Sequence, residues 1–481
     1  MRLELNILLT IISLVLYFLS PREVYMPIII ADFLVFVIGV YDIMKIEWKD
    51  GFKLSFNFFF LISFFFVSFC FGVFIINSKK LFDAFALLSI KAFMYIDYSY
   101  ITQATSLCLI AINLYLLGYK NSIRGNIISQ ASNKKICISK GTKQKASYWA
   151  TVFWVLTIAN IFITLRTAGG MLTNLSERSY IYEFYKCALA ISLVVSGTCY
   201  KQNSSRRRLM DFISDNTLVL IEAFLIVLFQ LYIGDRGNAV AISLMLLFGC
   251  AFYYYRFRLT QIAIVGAIGA VLLFAIRQTR HTDSALSTSG VSSFSNAATE
   301  SLKGQNALFL FSDLIGSSQE LCVGYAIKEE RGLQYPSQIL LLPVYPFPFL
   351  PSLGSELLFN KPLKEITGVQ IFSNYLESSI GLTASYGKHC VSDIYMKWGI
   401  VGVIIFFYIF GFVIGYYSKK RDTNMVAAAI YMALISSALY LPRSSILDII
   451  RIIAYTYLLY YIYCRKGVVV KSKHRIGKII E

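Results

Sequence analysis

Twelve stretches of this chain are each apolar for long enough to cross a membrane. They lie at about 3–19, 26–44, 54–76, 100–118, 147–165, 181–199, 215–233, 238–255, 259–276, 396–417, 424–441 and 446–463. A spanning helix needs about 20 predominantly apolar residues. In hydrocarbon every backbone donor and acceptor must be satisfied within the segment, so such stretches fold as helices. The prediction is an all-α polytopic membrane protein with about 12 transmembrane helices and one large external loop. Composition agrees: 57% of the 481 residues are hydrophobic and only 15% are charged, against about 25% charged in a soluble domain. A soluble globular chain and a disordered one are both excluded. Nine cysteines in this length do not make a disulfide scaffold.

The charge pattern sets the orientation. Segment 119–146 carries Lys120, Arg124, Lys134, Lys135, Lys140, Lys143 and Lys145 with no acid. Lys201 and Arg206 to Arg208 fill another loop, and Lys419, Lys420 and Arg421 a third. The tail adds Arg465, Lys466, Lys471, Lys473, Arg475 and Lys478. Twelve crossings put all of these on one side together with both termini, and the excess of Lys and Arg marks that side as cytoplasmic. The net charge of +18 therefore reads as topology and not as a nucleic-acid footprint. The first stretch follows Arg2 directly and has no small-residue cleavage site, so it is expected to stay as an anchor. Three regions follow: residues 1–276 with nine helices and short loops, residues 277–395 as the large external loop, and residues 396–481 with three helices and the basic tail.

The external loop is too polar to span and holds six of the nine prolines. It also holds His281, His389, Cys322 and Cys390. In an oxidising compartment the two cysteines could form a disulfide; two buried free thiols are the other reading.

Positive charge on the external side is the anomaly. Arg166 and Arg178 flank Gly169-Gly170. Arg236 sits in the tight turn Gly234-Asp235-Arg236-Gly237. Arg277 and Arg280 follow the ninth stretch, and Arg443 follows Pro442. Arginine grips phosphate or carboxylate with a planar fork and stays charged, so this set suits a lipid-linked phosphate or pyrophosphate. Snorkelling to headgroups is the simpler account of any one of them. Asp32, Lys186 and Glu222 fall within spans, where charge is costly and is functional, mutually paired or set in a water-lined cavity. No P-loop, dinucleotide fingerprint or metal-ligand spacing occurs.

The Gly-Asp-Arg-Gly turn, the arginine-bearing Gly-Gly turn before it and the single late loop resemble the O-antigen polymerase (Wzy) family. The segments Gly381-Leu-Thr-Ala-Ser385, Asp393-Ile-Tyr395 and Trp398-Gly399 are similar to that family's loop end. The resemblance implies a metal-independent glycosyltransferase of the bacterial inner membrane, without a cofactor. Its substrates would be undecaprenyl-pyrophosphate-linked oligosaccharides, and a chain-length regulator would be a partner. The growing chain would leave its carrier for a hydroxyl of a new lipid-linked repeat. Arg236, Arg166, Arg178, Arg277, Arg280 and Arg443 are then candidates to hold the pyrophosphate and glycan. His389 or Asp393 would be the base, with Asp235 a weaker choice because it adjoins Arg236. An O-antigen ligase shares this general plan. A lipid-linked oligosaccharide flippase or other transporter is the rival of another class, and it should show two similar halves, which this chain lacks.

Reporter fusions after residues 140 and 330 are expected to report opposite sides of the membrane. Signals from the same side would sink the twelve-span topology.

Overall fold

The computed structural model describes residues 3–48, 54–88, 96–124, 134–138, 140–167, 180–203, 208–232, 235–258, 260–267, 269, 311–381, 387–464 and 468–472. The main helices are α1 (Leu3–Leu19), α2 (Met26–Trp48), α3 (Phe56–Phe64), α4 (Lys79–Leu88), α5 (Ile101–Arg124), α6 (Lys140–Thr167), α7 (Tyr180–Asn203) and α8 (Leu209–Asp215). After them come α9 (Thr217–Tyr232), α10 (Arg236–Gly249), α11 (Ser318–Arg331), α12 (Leu350–Phe359), α13 (Gly368–Ile380), α14 (Cys390–Lys420), α15 (Met425–Ser437) and α16 (Asp448–Tyr463). Two short strands, β1 (Lys134–Ile138) and β2 (Val468–Ser472), pair antiparallel.

This is a helical membrane protein. Helices fall on eleven of the twelve predicted stretches, and residues 260–267 of the ninth, 259–276, are also helical, while 270–276 lie outside the described residues. Among the described residues, five helices meet the length and apolarity of a full crossing: Met26–Trp48, Ile101–Arg124, Gly141–Ile163, Arg236–Tyr254 and Cys390–Lys420. A sixth is added if Leu209–Asp215 and Thr217–Leu231, bent by 89°, count as one. Leu3–Leu19, Phe56–Phe69 and Met425–Ser437 are apolar but shorter.

The chain forms two compact units. The first comprises Met1–Arg124, Gly266–Gly415 and Ala438–Asp448. At its centre lies α5, which is buried over almost its whole length. Its small residues Ala104, Ser106, Ala111 and Gly118 let neighbours come close. The tightest approach is between α5 and α14. A Cβ on Gly118 would overlap the carbonyl oxygen of Tyr408, and one on Gly411 would overlap that of Tyr115. A Cβ on Gly415 would lie 2.7 Å from the carbonyl oxygen of Tyr119. Gly411 and Gly415 have the small-xxx-small spacing that brings membrane helices into backbone contact.

The in-span charges are met locally. Ser106 Oγ donates to the Asp32 carboxylate at 2.6 Å, and Ser20 joins it at 2.8 Å. Lys120 pairs with Asp42 and donates to Asn6 at 2.5 Å. These bonds tie α1, α2 and α5 together; Asp32 is met by a serine hydroxyl and not by an opposite charge.

The loop of residues 277–395 is not a uniform cap. Its helix α11 is polar in sequence, yet Ser318, Gln319 and Glu320 are all buried, as are Cys322 and Ile327. It packs on α5 and on the continuation of α3. That continuation is π-helical over Phe65–Phe69 and Phe71–Ile75. Such widened turns release backbone groups from the helical ladder, and the Val67 carbonyl accepts a hydrogen bond from Ser318 Oγ at 3.0 Å. Residues 335–360 then fold as a 3-10 helix over Pro336–Val344 followed by α12. Tyr335, Phe349 and Asn360, all at positive φ, bound these two pieces. A left-handed residue other than glycine costs on the order of 1–2 kcal/mol, so the surrounding contacts must hold these turns.

The second unit comprises Gly125–Val265, Tyr416–Ser437 and Ile449–Glu481. Ring stacks close it: Trp149 on Tyr463 at 4.3 Å, and Phe184 on Tyr455 at 4.4 Å. Glu222 accepts from the Thr151 hydroxyl at 2.6 Å, and Lys186 pairs with Glu183 at 2.7 Å. The ribbon aligns Lys135 with Lys471. It joins the basic segment 119–146 to the basic tail, two regions that the charge pattern assigns to the same side.

Gly411→Leu is expected to destabilise the protein by at least about 3 kcal/mol, above the usual range for overpacking, because backbone blocks the new side chain. Gly266→Ala, where an added Cβ meets nothing within 4 Å, should stay within about 0.5 kcal/mol of the parent. Thermal unfolding midpoints in detergent check both. An unchanged midpoint for Gly411→Leu would contradict the α5–α14 contact.

Candidate functional site

The polar residues of the first unit concentrate where three pieces of chain meet. These are residues 387–398 at the start of α14, residues 443–447 after α15, and the first turn of α11. Asp393 is the centre, at 1% exposure. Helical spacing brings Lys397 one turn along the same face, and its Nζ lies 2.8 Å from Asp393 Oδ1. Lys388 and Ser445 also face this carboxylate. Gly368, the first residue of α13, backs it closely: a Cβ there would overlap Asp393 Oδ1. The amino-terminus of α13 thus adds its partial positive charge to that of the two lysines.

Beside this cluster, α11 places Glu320 against Gly387 and Arg443. Glu320 Oε1 accepts the Gly387 N–H at 3.1 Å. A Cβ on Gly387 would sit 3.1 Å from Glu320 Oε1 and 4.0 Å from Arg443 Nη2, so glycine is needed for the close fit. Glu320 Oε2 and Arg443 Nε are both buried without a hydrogen-bond partner. Burial pushes the Glu320 carboxyl above the usual carboxylate range, and the nearby Arg443 guanidinium offsets part of that shift. A buried carboxyl raised in this way, next to a guanidinium, is suited to exchanging a proton.

Asp393, Lys388, Lys397 and Ser445 open on a small cleft whose other wall includes Gln338, Leu341 and Trp398. Its enclosed volume of about 20 Å³ takes a water, which needs about 10–15 Å³, and is too small for a sugar. Among the described residues, no group of three or more His, Cys, Asp or Glu side chains is placed to hold a metal ion.

Of the residues singled out from the sequence, Asp393, His389 and Arg443 come together here. His389 does not face the cleft. It is fully buried; its Nδ1 accepts from the Val391 N–H at 3.2 Å, so Nε2 carries the proton and meets Ser68 Oγ at 3.1 Å. Burial pushes its pKa down to about 3. A neutral ring with both nitrogens occupied positions the chain and is a poor base. Asp235 and Arg236 belong to the second unit. Asp235 caps α10, accepting from the Asn238 N–H at 3.2 Å and from Asn238 Nδ2 at 2.8 Å, which gives this acid a structural task. Arg236 is the first residue of that helix. Arg166 is in the last turn of α6, and its side chain lies outside the described residues, as do Arg178, Arg277 and Arg280.

The disulfide alternative is corrected: Cys322 and Cys390 are both free and fully buried. Cys322 packs among Ile29, Cys70, Phe71 and Met396, the behaviour of a small apolar side chain.

Sequence reading missed Glu320, Lys388 and Lys397. The Asp393–Lys397 spacing was a readable signal on a helix. Glu320 has none, because only folding sets it against Gly387 and Arg443. No protein-family model, curated protein or solved structure matches the chain.

Alkylation under denaturing conditions, without reductant, is expected to label both Cys322 and Cys390; protection of the pair would restore the disulfide. For His389, the folded pKa lies below the ordinary value of 6.5. The unfolded chain therefore binds a proton that the folded chain does not. The stability this ring contributes is complete above about pH 6.5 and declines as pH falls toward 3, by up to about 1.4 kcal/mol per pH unit. Unfolding midpoints between pH 7 and 4.5 should fall more steeply for the parent than for His389→Asn. Equal slopes would count against the buried neutral ring.

Proposed function

We propose that the protein is a glycosyltransferase that polymerises lipid-linked oligosaccharide repeats, of the O-antigen polymerase type, at the outer face of a bacterial inner membrane. The observation that carries this reading is the concentration of Lys388, Lys397 and Arg443 around two buried acids, Asp393 and Glu320. It occurs in a membrane protein, beside the chain segments that resemble the family's loop end.

The chemistry fits these residue types. An acceptor hydroxyl attacks the anomeric carbon of the donor glycan, and the bond from that carbon to the pyrophosphate oxygen breaks. The hydroxyl proton goes to a base, and undecaprenyl pyrophosphate leaves with the bonding electrons. Glu320, with its raised pKa and unoccupied Oε2, is the better base. Asp393 is already paired with Lys397 and orders the cations. Arg443 and Lys388 meet the negative charge that develops on the leaving group. Arg236, in the second unit, is a separate candidate that rests on the resemblance of its Gly-Asp-Arg-Gly turn alone.

Deletion of the gene should leave surface polysaccharide with single-repeat chains. Complete loss of ligated chains would point instead to a ligase or flippase. Glu320→Gln and Arg443→Ala should each lower polymerisation by about 100- to 1000-fold, the scale for removing one group that stabilises developing charge, at normal protein level. Arg236→Lys should insert normally and polymerise poorly, because Lys keeps the charge and loses the fork. Polymer of parental length from all three variants would reject the site.

A further inference from the structure

Residues 335–360 expose an apolar face that no described part of the chain covers. Leu357 is 86% exposed, Phe349 71% and Leu340 60%; Ile339, Phe347 and Leu353 are exposed beside them. From Gly332 to Ser355 there is no charged residue. The piece is nevertheless folded. Leu341 and Ser355 are buried, Ser355 Oγ donates to the Lys361 carbonyl at 2.7 Å, and a Cβ on Gly354 would lie 2.7 Å from Leu341 Cδ2.

We infer that this segment is embedded in one leaflet of the bilayer, with its exposed apolar face against the acyl chains. Two observations choose lipid over a second copy or another protein. The first is continuity. The segment is pinned to α14 by Gln334 N–H donating to the Met396 carbonyl at 2.8 Å, and by Trp398 Nε1 donating to the Pro336 carbonyl at 2.7 Å. Just beyond, after a break at Gly399 (φ 61°), the chain continues as a helix that exposes Val401, Ile405 and Ile409 along a stretch apolar enough to cross the membrane. The exposed face therefore extends a surface that already faces lipid. The second is the charge border. The uncharged run ends at exposed Glu356, and exposed Lys361 and Lys364 follow it; Lys361 Nζ is held by Tyr335 Oη at 2.9 Å. An apolar body with tyrosine and lysine at its rim is the pattern of an interfacial element.

The placement has a consequence for the cleft. Gln338 and Leu341 on the inner side of this segment line the same cleft as Asp393 and Lys397. The segment is thus a wall between the bilayer and the charged residues. On the reading proposed above, a lipid-borne anionic substrate keeps its tail in the leaflet and passes its head group along the edge of this wall.

The test is depth, measured on the full chain in nanodiscs of phosphatidylcholine and phosphatidylglycerol. A nitroxide on Leu357→Cys, and on Leu353→Cys as a second position, is exposed to oxygen and to a water-soluble nickel relaxant. Lys364→Cys is the aqueous reference. The unsubstituted chain gives the background from its own cysteines. Oxygen should dominate at 357 and 353, and nickel at 364. Nickel accessibility at 357 and 353 equal to that at 364 would place the segment in water and overturn the inference. Protection from both relaxants would mean that protein covers the face, and would overturn it equally. These readouts report position and not turnover, so they stand or fall apart from the polymerase reading.

Discussion

The first unit depends on the backbone contact between α5 and α14. Gly118, Gly411 and Gly415 give up their side chains so that main chain can meet main chain. In lipid, apolar side chains gain nothing from leaving an equally apolar surrounding, so close packing has to supply the association. α5 is the buried helix of the unit, and α14 runs from this contact back to a break at Gly399, beyond which its first turns carry Asp393 and Lys397.

The same interior contains an unusual amount of polar chemistry. Some of these polar groups tie neighbouring helices together, as Asp32 with Ser106, or Lys120 with Asp42 and Asn6, although Asp32 Oδ1 and Asn6 Nδ2 are themselves buried without a partner. Around Glu320 and Arg443 the matching is incomplete. A buried polar atom without a partner costs free energy that a fold normally avoids. The π-helical turns of residues 65–75 belong to the same arrangement, since they present Val67 and Ser68 to Ser318 and His389.

Unlike these interior contacts, residues 335–360 are organised from the outside. Left-handed Tyr335, Phe349 and Asn360 turn the chain sharply, Leu341 and Gly354 close its inner seam, and the remaining large side chains are presented outward. The segment shares one wall with the cleft, so its environment bears directly on what reaches Asp393.

The sequence by itself determined that this is a helical membrane protein and where most of its helices lie. Hydrophobicity over about 20 residues is a local property, and hydrocarbon leaves the backbone no alternative to a helix. It also marked Asp393, His389 and Arg443, which fold to one region. It could not assign their parts. Whether His389 is a base or a packed ring depends on Ser68, 321 residues away, and whether Cys322 and Cys390 bridge depends on how their helices pack. Glu320 was invisible because nothing in its neighbourhood along the chain distinguishes it from Glu329 or Glu330. Helix α11, within the polar stretch 277–395, was not placed from the sequence for a similar reason: its polarity forbids a lipid-facing helix but allows one enclosed by others. Only the tertiary structure decided these points, because burial and the meeting of distant residues are properties of the packed bundle and of no single segment.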